Sequence, residues 1–304
     1  MSSAHPGSAH PALGKVYLIG AGPGAADLIT VRGARLLAQA DVVLHDALVT
    51  DDMLALCPQA VKIGVGKRCG QLSTAQAFIN KQLIDCAHKY SLVVRLKGGD
   101  PMLFGRADEE LRALESHGID VDIVPGITAA MAAAASSKQS LTKRGVARSV
   151  AFFTSSTAPD QPDQVRLPDC DTLVQYMGGR DAITTAQRLM ANGKSPAMPV
   201  VVVENCSRVN ERIMRMTLQE LEQGLAPSDG PILVMIGEAL TARESAAPAG
   251  CDRPLQLTAL TAMAKIPPHN HERATAALTP NLSPACGRGE HSEPLRDFHV
   301  KLMT

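Results

Sequence analysis

The chain has 304 residues, enough for one large domain or two ordinary ones. Lys plus Arg and Asp plus Glu each total 30, and the resulting zero net charge argues against a chain-wide affinity for nucleic acid or an anionic membrane. Aromatics are only 3% of the residues and Trp is absent, so there is little material for base-stacking platforms.

The first residues, MSSAHPGSAHPAL, have neither a basic segment nor an apolar one, and 1–13 are expected to form a flexible leader. No apolar run reaches the length a membrane span needs. Seven cysteines without a C-x-x-C pair suggest reduced thiols in a cytoplasmic protein, with no zinc site and no metal.

From 15 to 124, short β-branched runs alternate with longer amphipathic stretches. Strands are predicted at 15–20, 41–45, 60–65, 91–96 and 120–124. Helices are predicted at about 30–40, 50–56, 73–89 and 107–117. The alternation predicts a parallel α/β sheet covered on both faces. A second half follows Pro125-Gly126, with an Ala-rich helix at 127–136. Strands are predicted at 148–154, 172–177, 199–204, 211–217 and 231–236. The polar stretch Asn205–Asn210 joins two of these as a hairpin, which predicts a mixed sheet. The expected division is 14–126 and 127–240, two α/β domains with a cleft between them. Residues 241–304 hold 7 of the 20 prolines and one aromatic, and are expected to be a disordered tail. Four of the nine histidines fall there and are read as solvated.

The first strand ends in Gly20-Ala21-Gly22-Pro23-Gly24, which with Ala25 fits a dinucleotide-binding turn, and Asp46 follows the next strand. A nicotinamide-dependent oxidoreductase is therefore one alternative. Two features weigh against it. Pro23 lacks the N–H a pyrophosphate would use, and the helix is predicted to start only near Thr30. The strand at 91–96 ends in Lys97-Gly98-Gly99-Asp100-Pro101, where paired glycines allow a ligand to touch backbone. Asp100 is placed to accept from a ribose diol or an amine. A third strand ends in Val124-Pro125-Gly126-Ile127-Thr128-Ala129. Three glycine-bearing strand ends on one sheet edge predict a small-ligand site.

GAGPG, HDALV, VGKR, RLKGGDP followed by FGR, VPGITAA, LTKRG and TLVQYMG occur in that order over roughly 14–240. The ordered set resembles the tetrapyrrole methylases, most closely those that methylate uroporphyrinogen III. The resemblance implies two α/β domains, a homodimer and S-adenosylmethionine held in the interdomain cleft. It implies C-methylation of uroporphyrinogen III to precorrin-2 through precorrin-1, feeding sirohaem and cobalamin synthesis. A methylase acting on another corrin precursor, and a binding protein without turnover, are the alternatives within the fold.

The resemblance makes Asp46 the base and Lys67 a proton donor or a partner of a substrate carboxylate. Its cofactor contacts fall on Pro23, Gly98, Gly99, Asp100, Leu103, Thr128, Ala129, Met177 and Cys206. The substrate carries carboxylates, and residues 62–148 hold 13 basic against 8 acidic residues. Arg95, Arg106, Arg144 and Arg148 are the candidate clamps, because guanidinium binds carboxylate bidentately. The chain departs from the family where Lys143 replaces a His, Met102 a Phe, and Ala107-Asp108 a pair of glycines.

Overall fold

The structure, a computed structural model, describes residues 13–66, 72–155, 166–228 and 230–242. The expected leader apart from Leu13, all of the expected tail past 242, and Lys67 lie outside the described residues.

Five short apolar segments build the first sheet: β1 (Lys15–Gly20), β2 (Val42–His45), β3 (Val61–Gly64), β4 (Leu92–Lys97) and β5 (Val121–Val124). Their order is β3-β2-β4-β1-β5 and every pairing is parallel. A parallel sheet needs cover on both faces, and the alternation of side chains supplies two cores. Val16, Leu18, Val42, Leu44 and Val93 pack against α3 (Leu72–Lys89) and α4 (Ala107–Glu115). Ile19, Val43, Val94 and Leu96 point the other way, toward α1 (Val31–Leu37) and α2 (Asp51–Leu54).

The second sheet contains β6 (Val150–Thr154), β7 (Thr172–Tyr176), β8 (Pro199–Glu204), β9 (Arg212–Thr217) and β10 (Ile232–Ile236), in the order β6-β7-β10-β8-β9. Only β6 and β7 run parallel, so the sheet is mixed, as expected. β8 and β9 form the expected hairpin, with Pro199 opposite Thr217 and Glu204 opposite Arg212. One face is covered by α5 (Ala129–Ser136), whose small Ala130 and Ala133 let the helix lie close to Val174, Val201 and Val203. The other is covered by α6 (Ala182–Ala191) and α7 (Leu218–Glu222).

These last two helices were absent from the sequence-based expectation. The buried face of α6 is Ala182, Thr185, Ala186 and Leu189, so the helical spacing is present but only Leu189 among the four is large and apolar. α7 has only 5 residues and is held by a capping box between Thr217 and Glu220. Among the described residues, no helix is long and apolar enough to cross a membrane.

Asp171 sets the entry to this sheet. Its Oδ2 accepts from the amides of Arg148 and Ser149 at 2.8 and 2.9 Å and from the Ser149 hydroxyl at 2.8 Å. These donors, the Arg148 amide foremost, hold the carboxyl below its usual range. A depressed carboxyl contributes stability above its unfolded value, about 3.9, and loses that contribution as pH falls through the folded value. Asp171→Ala is therefore expected to lower the melting temperature at pH 7. In parallel thermal melts the gap from wild type should narrow below about pH 4. An unchanged gap across that range would refute the charged role.

Candidate functional site

β4, β1 and β5 are neighbours and parallel, so their carboxyl ends meet on one edge. The loops leaving them are bonded together through backbone. Ala21 N–H donates to the Lys97 carbonyl at 2.7 Å, and Gly22 and Gly99 exchange two bonds of 3.1 and 2.7 Å. A Cβ on Gly20 would stand 2.6 Å from the Gly126 Cα, and one on Gly126 would stand 2.3 Å from the Gly99 carbonyl oxygen. Real Cβ atoms do not approach so closely, so both positions require glycine. Asp100 completes the junction: Oδ1 accepts from the Met102 amide at 2.8 Å and Oδ2 from Gly126 at 2.9 Å. The carboxylate thus first organises the loops, and its remaining lone pairs are what it can offer a ligand.

Above this edge is a cavity of about 220 Å³ between the two sheets. Pro23, Gly98, Gly99, Asp100 and Leu103 line it from the first half of the chain, and Thr128, Ala129, Met177 and Cys206 from the second. These are the nine positions to which the resemblance assigned cofactor contacts, and the fold brings all nine to one wall system. Leu48, Phe104, Tyr176, Val203, Ile232 and Leu233 add apolar surface that the motifs had not assigned. Tyr176 and Phe104 stood inside the motifs and could have been named. Ile232 and Leu233 lie on a plain apolar strand, where nothing in the sequence separates a cavity wall from core.

Tyr176 ties the halves of the cavity together. Its hydroxyl lies 2.6 Å from Thr128 Oγ1 and accepts from the Ala130 amide at 3.2 Å, which satisfies the first turn of α5. Burial raises the phenol, so it stays protonated at neutral pH. Its ring packs on Phe104 at 5.0 Å and on Phe152 at 6.0 Å between centroids. Left-handed backbone also gathers here, at Phe104, Arg106, Met177, Asn205 and Ser207. Such strain in non-glycine residues persists only where surrounding structure enforces it. Burial, then the charge of Glu211, pushes the Cys206 thiol up to about 12, so it serves as wall rather than nucleophile.

The loop after β8 crosses to the first half. Ser207 Oγ accepts from the Ala25 amide at 3.0 Å, and Arg208 Nη2 donates to the Leu48 carbonyl at 2.8 Å. The glycine turn after β1 therefore faces this strap. The first α-helix starts only at Val31, capped by Thr30, and Gly22 has spent its N–H and C=O on Gly99. Only a three-residue 3-10 turn, Ala26–Leu28, follows the glycines, and the Ala25 amide before it is taken by Ser207. No α-helix N-terminus therefore faces the turn for a pyrophosphate, which removes the ground for the nicotinamide alternative.

Asp46 follows β2 on the same sheet edge, two residues before Leu48. Its amide donates to the Leu96 carbonyl at 3.3 Å, and its side chain is 32% exposed. Arg95 departs from expectation. It is 2% exposed, and it donates to Asp46 Oδ1 at 2.5 Å and to Glu110 Oε1 at 3.1 Å. Alternation along β4 turns it into the core under α4, so it has no free face for a substrate carboxylate. Arg106 is exposed and holds Glu109 through two bonds of 2.6 and 2.7 Å. Arg144 and Arg148 are exposed on the segment leading into β6, and neither lines the cavity.

The site is thus a largely apolar, glycine-floored cleft between a parallel and a mixed sheet. The model of the family "Tetrapyrrole (Corrin/Porphyrin) Methylases" matches residues 15–222, and the chain belongs to that family. It is similar to the uroporphyrin-III C-methyltransferase of Thermus thermophilus solved with S-adenosylhomocysteine, at 37% identity and a TM-score of 0.65 over 75% of this chain and 94% of that one. A cobalt precorrin-4 methyltransferase matches at 30% identity and a TM-score of 0.64, over 75% and 96%. Siroheme synthase 2 of Yersinia pestis (strain Pestoides F) is 43% identical over 233 residues, which are 75% of this chain and 49% of that protein. The chain spans about half the length of the curated relatives it matches.

The glycine junction makes a direct prediction. Gly126→Ala must push β5 from β1 and β4, so both thermal stability and binding of S-adenosylhomocysteine should fall, as read by melting and by calorimetry. A variant that melts and binds as wild type would show that the junction tolerates a side chain.

Proposed function

We propose that the chain is an S-adenosylmethionine-dependent methyltransferase that converts uroporphyrinogen III to precorrin-2 through precorrin-1. One observation carries the reading: nine positions separated by up to 183 residues in sequence, from Pro23 to Cys206, line a single cleft. The relative from Thermus, solved with S-adenosylhomocysteine, supports the same ligand class.

The residues present suit that ligand. Apolar walls match an adenosyl group and a thioether chain, while Gly98 and Gly99, half-buried and without side chains, let a ligand come close to the backbone of the floor. When bound, S-adenosylmethionine supplies an electrophilic methyl group on a sulfonium. The chain's task is to hold an electron-rich pyrrole carbon in line with it, and well-oriented reactants can gain about 7–11 kcal/mol. The ring gains a carbon–carbon bond and must release a proton. Asp46 is the acceptor in this reading, with Lys67 as the donor or as a partner of a substrate carboxylate. Arg106, Arg144 and Arg148 remain proposed partners of the carboxylates, on exposed surface in or next to the basic middle of the chain. A homodimer in the cytoplasm belongs to the same proposal.

The similarity to a cobalt precorrin-4 methyltransferase favours one second reading, methylation of a later corrin precursor. Radiolabelled methyl donor separates the two. The first reading expects label on uroporphyrinogen III, two methyl groups per ring system. No label there, with transfer to a later precursor, would move the assignment to the second reading.

Asp46→Asn should leave S-adenosylhomocysteine affinity unchanged and lower turnover by about 10²–10⁴-fold, the usual worth of a general base. Normal turnover would mean that another group takes the proton.

A further inference from the structure

Beneath Asp46 lies a group of buried charges with no assigned role. Glu110, on α4, is 0% exposed, Arg95 is 2% exposed and Lys97 is 3% exposed. Glu110 Oε1 accepts from Arg95 Nε at 3.1 Å and from Gln76 at 3.3 Å, and Oε2 accepts from Lys97 Nζ at 2.9 Å. Arg95 Nη1 points at the carbonyls of Leu96 and Leu44, at 3.3 and 3.5 Å. Its Nη2 is left to Asp46. Burial and the neighbouring Arg95 charge lower Lys97, and Glu110 is the anion that holds the two cations side by side.

Packing does not require this arrangement. Val93 occupies the same face of β4 two residues earlier and is fully buried among apolar side chains. Replacing buried ion pairs by apolar residues is often neutral or stabilising, because desolvation offsets most of the attraction. What the charges do achieve is direction. A guanidinium bonded at Nε and Nη1 cannot turn in its plane, so Nη2 has one orientation. Asp46 is the member of the group that reaches solvent, at 32% exposure.

We propose that Glu110 is a positioning residue for methyl transfer: it locks Arg95, and Arg95 fixes the orientation of the Asp46 carboxylate. Asp46 lies at the sheet edge two residues from the cavity-lining Leu48 and does not itself line the cavity. The proposal rests on Asp46 being the base, so its test must separate the two. Lys97 joins the group to the ligand floor, since its carbonyl accepts from Ala21 at 2.7 Å and the next residue is Gly98.

Four variants of the full chain are compared: Glu110→Gln, the triple Arg95→Met, Lys97→Met, Glu110→Met, and Asp46→Asn with and without Glu110→Gln. Turnover and KM are measured with uroporphyrinogen III, affinity with S-adenosylhomocysteine, and stability by melting. The triple variant guards against loss of fold in Glu110→Gln, which leaves buried cations unpaired. The expected result is a triple variant that melts and binds as wild type while its kcat falls by about 10²-fold, the cost of a displaced catalytic group, with KM little changed. Adding Glu110→Gln to Asp46→Asn should cost nothing further, since a base that is absent cannot be misaimed.

A folded triple variant with wild-type kcat overturns the proposal, as do losses that multiply in the Asp46→Asn background. A triple variant that no longer folds also overturns it, because the charges would then be holding the sheet. Full turnover in Asp46→Asn alone removes the base and the positioning role together. Loss in Asp46→Asn with none in the triple variant removes the positioning role only.

Discussion

The site depends on peptide backbones touching at the edge of a parallel sheet. Gly20, Gly99 and Gly126 come together where β1, β4 and β5 end, closer than any side chain would permit. That contact lets Gly22 and Gly99 pair across two loops and lets Asp100 reach Gly126. It converts three strand ends, which would otherwise diverge with the sheet's twist, into one continuous floor. A cavity whose floor is backbone exposes peptide groups rather than side chains, and the selectivity of its walls falls to the residues above.

Those walls come mostly from the second half of the chain. The mixed sheet contributes Met177 from the end of β7, Cys206 from the β8–β9 hairpin, and Ile232 and Leu233 from β10. Placing Met177 at a cavity mouth has a cost, because its backbone is left-handed and its apolar side chain is 54% exposed. Tyr176 offsets part of that cost by closing the first turn of α5 and packing at a tilt against Phe104 from the opposite half. Few aromatics are present in the chain, and three of them meet at this junction.

Zero net charge conceals a division of labour among the ionic groups. The basic surplus lies in 62–148, yet part of it never meets solvent. Arg95 and Lys97 are spent on Glu110 and Asp46 beneath the first sheet, while Arg106, Arg144 and Arg148 remain on the surface. A count of charges along the chain cannot distinguish the two groups. Alternation on β4 does so in retrospect, since Arg95 shares a face with buried Val93.

Local pattern was enough for the ten strands, the parallel pairing of the first half, the hairpin and five helices, four of them in the first half and α5 from its run of alanines; the order of the strands came only with the fold. The nine cavity positions were reached through the ordered motifs and the family resemblance they carry; glycine and proline at strand ends mark only Pro23, Gly98 and Gly99 by themselves. α6 escaped because only Leu189 on its buried face is large and apolar, the others being Ala and Thr, and α7 because one turn has no period to read. Ile232 and Leu233 became site residues only through the tertiary fold, since apolar side chains carry the same label whether they face a core or a ligand, whereas Leu48 stood inside the HDALV motif. The burial of Arg95 was likewise decided by α4 closing over β4 and bringing Glu110 within hydrogen-bond distance. Backbone requirements are local and therefore written in the sequence. Which face of a strand meets a helix, and which charge finds a partner, are long-range outcomes settled only when the sheet is assembled.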